Sequence, residues 1–170
     1  MSAPLIVSTK LFRPQLARGL VERPRLLDLL DWRLAQRRLT IVSAPPGYGK
    51  TTLAAHWLST LVVPTTWLSV DKLDNDLGSF AYYFVAAVNI VYPDSCPLTS
   101  ALLIAPQPAS PTIMADALIE DLANLPGDLV IALDDFHVID APPVHECLQR
   151  VVQYLPTNCH LVIACRATPP

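Results

Sequence analysis

The ten residues Ser43-Ala44-Pro45-Pro46-Gly47-Tyr48-Gly49-Lys50-Thr51-Thr52 constrain this chain more than any other stretch. They come after a short β-prone run, Leu39-Thr40-Ile41-Val42. They precede a helical pattern, from about Gly49 to Leu61, in which Leu53, Ala54, Trp57, Leu58 and Leu61 share one face. Two prolines end the strand and two glycines free the backbone, so the chain must pass from strand to helix through a tight loop poor in Cβ atoms. The first amides of the next helix have no partner within it, and the helix dipole adds positive potential there. A loop of this kind suits an anion.

Its second half matches the phosphate-loop pattern G-x-x-x-x-G-K-[ST], with Gly49, Lys50 and Thr51 in the last three places. Ala44 stands where the first glycine usually does, and alanine fits there if its φ is negative. Pro45 and Pro46 carry no N–H, so the wrapping donors come from Gly47, Tyr48, Gly49, Lys50, Thr51 and Thr52. Lys50 would set its ammonium on the β- and γ-phosphate oxygens. Thr51 would offer its hydroxyl to Mg²⁺, and Thr52 would reach the α-phosphate. A plain strand–turn–helix with a chance Lys-Thr is the bland alternative. Two later runs in the chain weigh against it.

The run Leu129-Val130-Ile131-Ala132-Leu133 is wholly apolar and ends in Asp134-Asp135. An apolar strand closing on two carboxylates fits the Mg²⁺ side of a phosphate-handling site. Mg²⁺ keeps several waters and needs few protein ligands, so Thr51 and Asp134 suffice as metal residues. Asp135 would orient or deprotonate the attacking water. Alone, an Asp pair serves as readily to cap a loop. Arg166 comes after a fourth apolar run, His160 to Cys165, and ligands of open α/β sheets lie beyond such strand ends. It would face the γ-phosphate and distinguish ATP from ADP, so Lys50, Asp135 and Arg166 are the candidate catalytic residues.

Between these runs lie helical patterns. Residues 24–38, 49–61, 80–92, 110–125 and 144–154 carry helix periodicity, and a further strand is expected over 65–70. The stretch 93–111 holds several prolines and reads as an irregular surface excursion. Strands alternating with helices imply right-handed crossovers and a parallel sheet, the doubly wound α/β class. At 170 residues, 52% apolar and 16% charged, the chain suits one well-buried domain and excludes a disordered tail. Residues 1–20 read as an irregular lead-in, and 21–170 as the domain itself.

Other chemistries find little support. The four cysteines form no C-x-x-C pair and point to a reduced, cytoplasmic setting rather than a disulfide framework. The four histidines show no zinc spacing, no G-x-S-x-G elbow is present, and both residue types read as structural. The uncharged runs near residues 77–93 and 95–115 are too short or too rich in proline to span a bilayer. Residues 1–50 hold nine Lys and Arg against three Asp and Glu, while the whole chain is at -3. That asymmetry suits a polyphosphate or a solvated helix face, but no DNA-reading pattern accompanies it.

Taken in order, these segments resemble the STAND ATPases, in particular the MalT-like group of large LuxR-type transcriptional regulators. The resemblance rests on Thr9-Lys10-Leu11-Phe12-Arg13-Pro14, Val21-Glu22-Arg23-Pro24-Arg25-Leu26 and the loop 43–53. It continues through Trp67-Leu68-Ser69-Val70-Asp71 with Asp74-Asn75, then Leu133-Asp134-Asp135-Phe136-His137, and ends at His160 to Arg166. It implies a three-layer P-loop NTPase sandwich with sheet order 1-4-3-2 and a fifth strand beside strand 1, which this sequence lacks. A C-terminally truncated domain is therefore expected, with an uncovered apolar edge at Leu39 to Ser43 and a tendency to self-associate. The resemblance further implies that Val21 and Arg23 lie near the adenine and that Arg166 acts as a sensor arginine. It implies a switch held closed by ADP and opened by ATP and inducer. Helical, sensor and helix-turn-helix modules would come next in a full-length protein, and DNA would be met only through them.

Two other readings stay open. A P-loop kinase would need an Arg-rich lid, yet after Asp135 only Arg150 and Arg166 remain. An interaction module whose nucleotide is a structural plug, with negligible turnover, shares every one of these motifs. The absence of a guanine-reading N/T-K-x-D motif leans the base toward adenine.

Overall fold

The computed structural model describes residues 7–16, 19, 21 and 23–166, without the side chains of Trp32, Arg33 and Ala35. Glu22 of the quoted Val-Glu-Arg segment thus lies outside what is described.

Among the described residues four strands, β1 (Leu39–Ser43), β2 (Thr65–Ser69), β3 (Leu129–Asp134) and β4 (Cys159–Cys165), form one parallel sheet in the order β1-β4-β3-β2. Among the described residues six α-helices connect and cover them: α1 (Pro24–Gln36), α2 (Lys50–Thr60), α3 (Leu77–Val91), α4 (Pro97–Leu103), α5 (Pro111–Ala123) and α6 (Pro142–Gln153). The expected strand order is the one found.

The two central strands explain the layering. Every residue of β3 and β4 is buried, as a parallel strand covered on both faces requires. Their side chains alternate. Val130, Ala132 and Val162 pack with Leu30, Ala54, Trp57, Leu58 and Trp67 beneath α1 and α2. Leu129, Ile131, Leu133, Leu161 and Ile163 face the larger core under α3 to α6, with Phe80, Phe84, Leu118 and Phe136. The period of two in the strand sequences thus divides the molecule into three layers.

The structure departs from the sequence-based expectation in two places. The proline-rich stretch 93–111 is not irregular throughout: it contains α4, with Pro97 at its first position. Pro is tolerated there because the first helical amide lacks a partner anyway. The next amides are capped from a distance, since Asp121 on α5 accepts from Leu98 N (3.1 Å), Thr99 N (2.8 Å) and the Thr99 hydroxyl (2.7 Å). The lead-in also holds order, a 3-10 turn at Ser8–Leu11. There Lys10 is buried, donates to the fully buried Asp74 at 2.6 Å and sits 3.9 Å over the Tyr83 ring.

β1 pairs only with β4 among the described residues, leaving Ile41 39% exposed at the sheet margin. No helix among the described residues is long and apolar enough to cross a membrane.

Candidate functional site

All four strands point their C-terminal ends the same way, which brings the segments after β1, β3 and β4 to one rim. After β1 the loop turns at Gly47 (φ 83°) and Gly49 (φ 74°), the left-handed region where a Cβ is strained. α2 begins at once, its first closing bond running from Leu53 N–H to the Gly49 carbonyl at 2.8 Å. The amides of Lys50, Thr51 and Thr52 are therefore left facing the loop's concavity.

Thr51 and Asp134 lie eighty-three positions apart, yet the Thr51 hydroxyl donates to Asp134 Oδ1 at 3.1 Å. Asp134 is 3% exposed, and burial pushes its carboxyl above the ordinary carboxylate range, with the neighbouring Asp135 adding to that push. The Thr51 hydroxyl and the Lys50 charge act in the opposite sense. A carboxylate hidden this way calls for a cation or a proton. Its partner set, one hydroxyl and one carboxylate, fits Mg²⁺, which completes its shell with water and substrate oxygens. No cluster of three or more His, Cys, Asp or Glu suited to an all-protein metal cage occurs among the described residues.

Lys50 is folded back over its own loop, its Nζ donating to the Pro45 carbonyl at 3.0 Å. No carboxylate ion-pairs with it among the described residues. The ammonium is therefore held near the concavity by one weak, neutral acceptor. Tyr48 is 63% exposed, and its carbonyl accepts from Arg23 Nη1 at 3.1 Å.

Behind the loop, on the α1/α2 side, lies a cleft of about 210 Å³ lined by Val21, Arg23, Gly49, Thr52, Leu53 and His56. Val21 and Arg23 are brought there by the segment just before α1. His56 is one turn beyond Thr52 on α2, although from sequence alone it reads as a structural histidine. Its spacing of four from Thr52 along the helix is the signal that could find it.

Past β3, Asp135 is exposed and takes φ 56°, which re-aims the chain into a 3-10 turn, Phe136–Val138. His137 in that turn is the second histidine whose place at the site the sequence does not reveal. Its Nδ1 lies 3.8 Å from Asp135 Oδ1. Burial lowers its proton affinity, and the charges of Arg166 and Lys50 lower it further, while Asp135 opposes them. Arg166 is exposed, just past β4, near enough to act on His137. The rim thus gathers Lys50, Thr51, Asp134, Asp135, His137 and Arg166.

The side chain of Asn75 makes several of the bonds that fasten the loop 136–141. Asn75 Nδ2 donates to the carbonyls of Val138 (3.1 Å) and Lys72 (3.2 Å). Its Oδ1 accepts from the amides of Asp140 (2.8 Å) and Ala141 (2.9 Å).

No family model matches the chain. Over 165 residues it is 34% identical to the HTH-type transcriptional regulator MalT of Vibrio cholerae, covering 96% of this chain and 18% of that protein. The MalT regulator of Yersinia pestis gives the same identity, with 97% and 18% covered. The chain thus spans under a fifth of the length of the curated relatives it matches. Among solved structures, a Walker-type ATPase of Pyrococcus abyssi superposes with a TM-score of 0.51 at 15% identity, over 91% of this chain and 47% of that one. The chain is related over nearly all its length to part of the MalT regulators, and its fold is that of a P-loop NTPase.

Proposed function

We propose that this chain is the ATP/ADP-binding switch domain of a MalT-type transcriptional regulator, Mg-dependent, hydrolysing ATP slowly in the cytoplasm. The observation that carries the reading is the 3.1 Å bond between Thr51 and Asp134. It joins the phosphate-type loop to a buried carboxylate at a sheet's C-terminal rim.

The residues divide the work. The amides of Gly47 to Thr52 wrap the phosphates, and Lys50 leaves the Pro45 carbonyl for the β- and γ-oxygens when a stronger acceptor arrives. Thr51 and Asp134 hold the metal shell; bound Mg²⁺ supplies charge neutralisation of the phosphate tail. Asp135 orients the attacking water, and Arg166 reads the γ-phosphate. Val21, Arg23 and His56 border the cleft in which the adenine fits. DNA recognition is assigned to other modules of such a regulator, because the sequence offers no basic patch interleaved with aromatics.

The test is nucleotide extraction from purified protein, followed by binding of a fluorescent mant-nucleotide. ADP in the extract, and loss of both retention and binding in Lys50→Ala, are expected. Protein that emerges empty and binds neither ADP nor Mg-ATP overturns the reading.

A nucleotide-plugged interaction module is the second reading. It is favoured by an apolar groove of about 880 Å³ bordered by Leu11, Leu73, Tyr82, Tyr83, Ile90 and Ile104. Turnover separates the two: negligible hydrolysis by the wild type supports the plug, a loss in Asp135→Asn with Mg-ATP binding intact supports the switch, and equal turnover in that variant rejects Asp135 as the water-orienting group.

A further inference from the structure

We infer that His137 is a positioning residue for Asp135: its Nδ1–H holds that carboxylate in the orientation that aligns water against the γ-phosphate. This rests on the nucleotide reading above and names a member of the site that the motifs do not assign.

The first observation is an unmet hydrogen-bonding group. His137 Nδ1 is buried and has no hydrogen-bond partner among the described residues, although the imidazole as a whole is 15% exposed. Buried polar atoms in native proteins are nearly always paired, and the exceptions concentrate where a ligand or a movement completes the pairing. The nearest candidate is Asp135 Oδ1 at 3.8 Å, beyond the roughly 2.7–3.2 Å of an N–H···O bond, so a closure of about 1 Å completes it.

The second observation decides which partner moves. His137 stands on a fixed platform: Phe136 is 1% exposed and packs edge-on against the rings of His145 at 5.6 Å and Phe80 at 6.5 Å. Asn75 ties Val138, Asp140 and Ala141, and His145 Nε2 donates to the Ile139 carbonyl at 3.0 Å. Asp135, by contrast, has a side chain 56% exposed and outside that set of bonds. The carboxylate therefore comes to the ring.

The third observation is the charge setting. Burial, then Arg166 and Lys50, disfavour a proton on the imidazole against the pull of Asp135, and the net direction suits a neutral ring that donates through Nδ1. With one Asp135 oxygen held in this way, the other is free to accept from water. Sites held by rigid, hydrogen-bonded supports lose rate, not affinity, when the support is removed.

The test uses the whole chain. Mant-ATP affinity and single-turnover hydrolysis at saturating Mg-ATP are compared for the wild type, His137→Ala, His137→Asn, Asp135→Asn and the double variant His137→Ala/Asp135→Asn. His137→Ala should slow turnover about 10- to 100-fold with affinity within about twofold. His137→Asn, whose amide nitrogen falls near the Nδ1 position, should recover most of that loss. The double variant should be no slower than Asp135→Asn alone. Histidine ¹⁵N spectra of the nucleotide-bound wild type should show Nδ1 protonated and hydrogen-bonded, a signature lost in Asp135→Ala, which leaves no acceptor, whatever the turnover rate.

Losses that multiply in the double variant, a loss confined to affinity, or an Nε2–H tautomer overturn the positioning role while leaving nucleotide binding intact. Wild-type protein that does not bind mant-ATP overturns the nucleotide reading, and this inference with it.

Discussion

Asp134 carries a cost that its place in the core makes visible. Its folded pKa lies above the ordinary 3.8, so the charged form is disfavoured in the folded state. That cost is present at neutral pH and is relieved as pH falls through the folded value. Asp134→Asn keeps an oxygen for the Thr51 hydroxyl and removes the buried charge. We expect its melting temperature without nucleotide to rise by about 2–4 °C, the shift that about 1 kcal/mol produces in a domain this size. Stabilisation by Mg-ATP should vanish in the same variant, and differential scanning fluorimetry with and without Mg-ATP checks both. At this scale the sequence is most informative where function rests on neighbours in the chain. Gly47 to Thr52 announce themselves by spacing, and Asp134 by its place after an apolar run. His56 and His137 are harder to read, because a histidine near a motif serves as readily in a core, and only the four-residue spacing of His56 from Thr52 hints at its place. Only folding places one beside the cleft and the other 3.8 Å from a carboxylate.

The elements divide in a similar way. The central strands β3 and β4 read directly from their apolar runs, because a parallel strand covered on both faces has no polar side to blur it. The helix α4 escapes because its support is not local. Its N-terminal amides are satisfied by Asp121, more than twenty residues on, and the surrounding prolines read as breakers when Pro97 is a starter. Asp121 is 2% exposed and accepts three hydrogen bonds, so Asp121→Ala leaves buried donors unmet. We expect a loss of about 2–3 kcal/mol in denaturant unfolding. Amide exchange should quicken first over Pro97–Leu103, whereas an effect spread evenly over the sheet would deny Asp121 its capping role.

For the molecule as a whole, pH should act through its buried imidazoles. His160 bridges layers: its Nδ1 donates to the Arg37 carbonyl (2.8 Å), which leaves Nε2 to accept from the Thr40 hydroxyl (2.9 Å). Burial lowers its proton affinity below the ordinary 6.5, as it does for His137. A lowered folded value means stability that is complete above 6.5 and lost as pH falls through the folded pKa. The urea midpoint should therefore decline below about pH 6.5, and His160→Gln should flatten part of that decline. The unpaired side of β1 bears on association. Light scattering at high concentration should find species larger than a monomer, and Ile41→Lys, charging that margin, should restore the monomer. A monomer at every concentration would reject this.

Asn75 grips both the loop carrying His137 and the turn that leads into α3, through four hydrogen bonds from a single planar group. One side chain thus satisfies two carbonyls and two amides drawn from segments more than sixty residues apart in the chain. The stretch of chain that follows Asp135 is in this way anchored to the turn whose next residue, Asp76, caps α3.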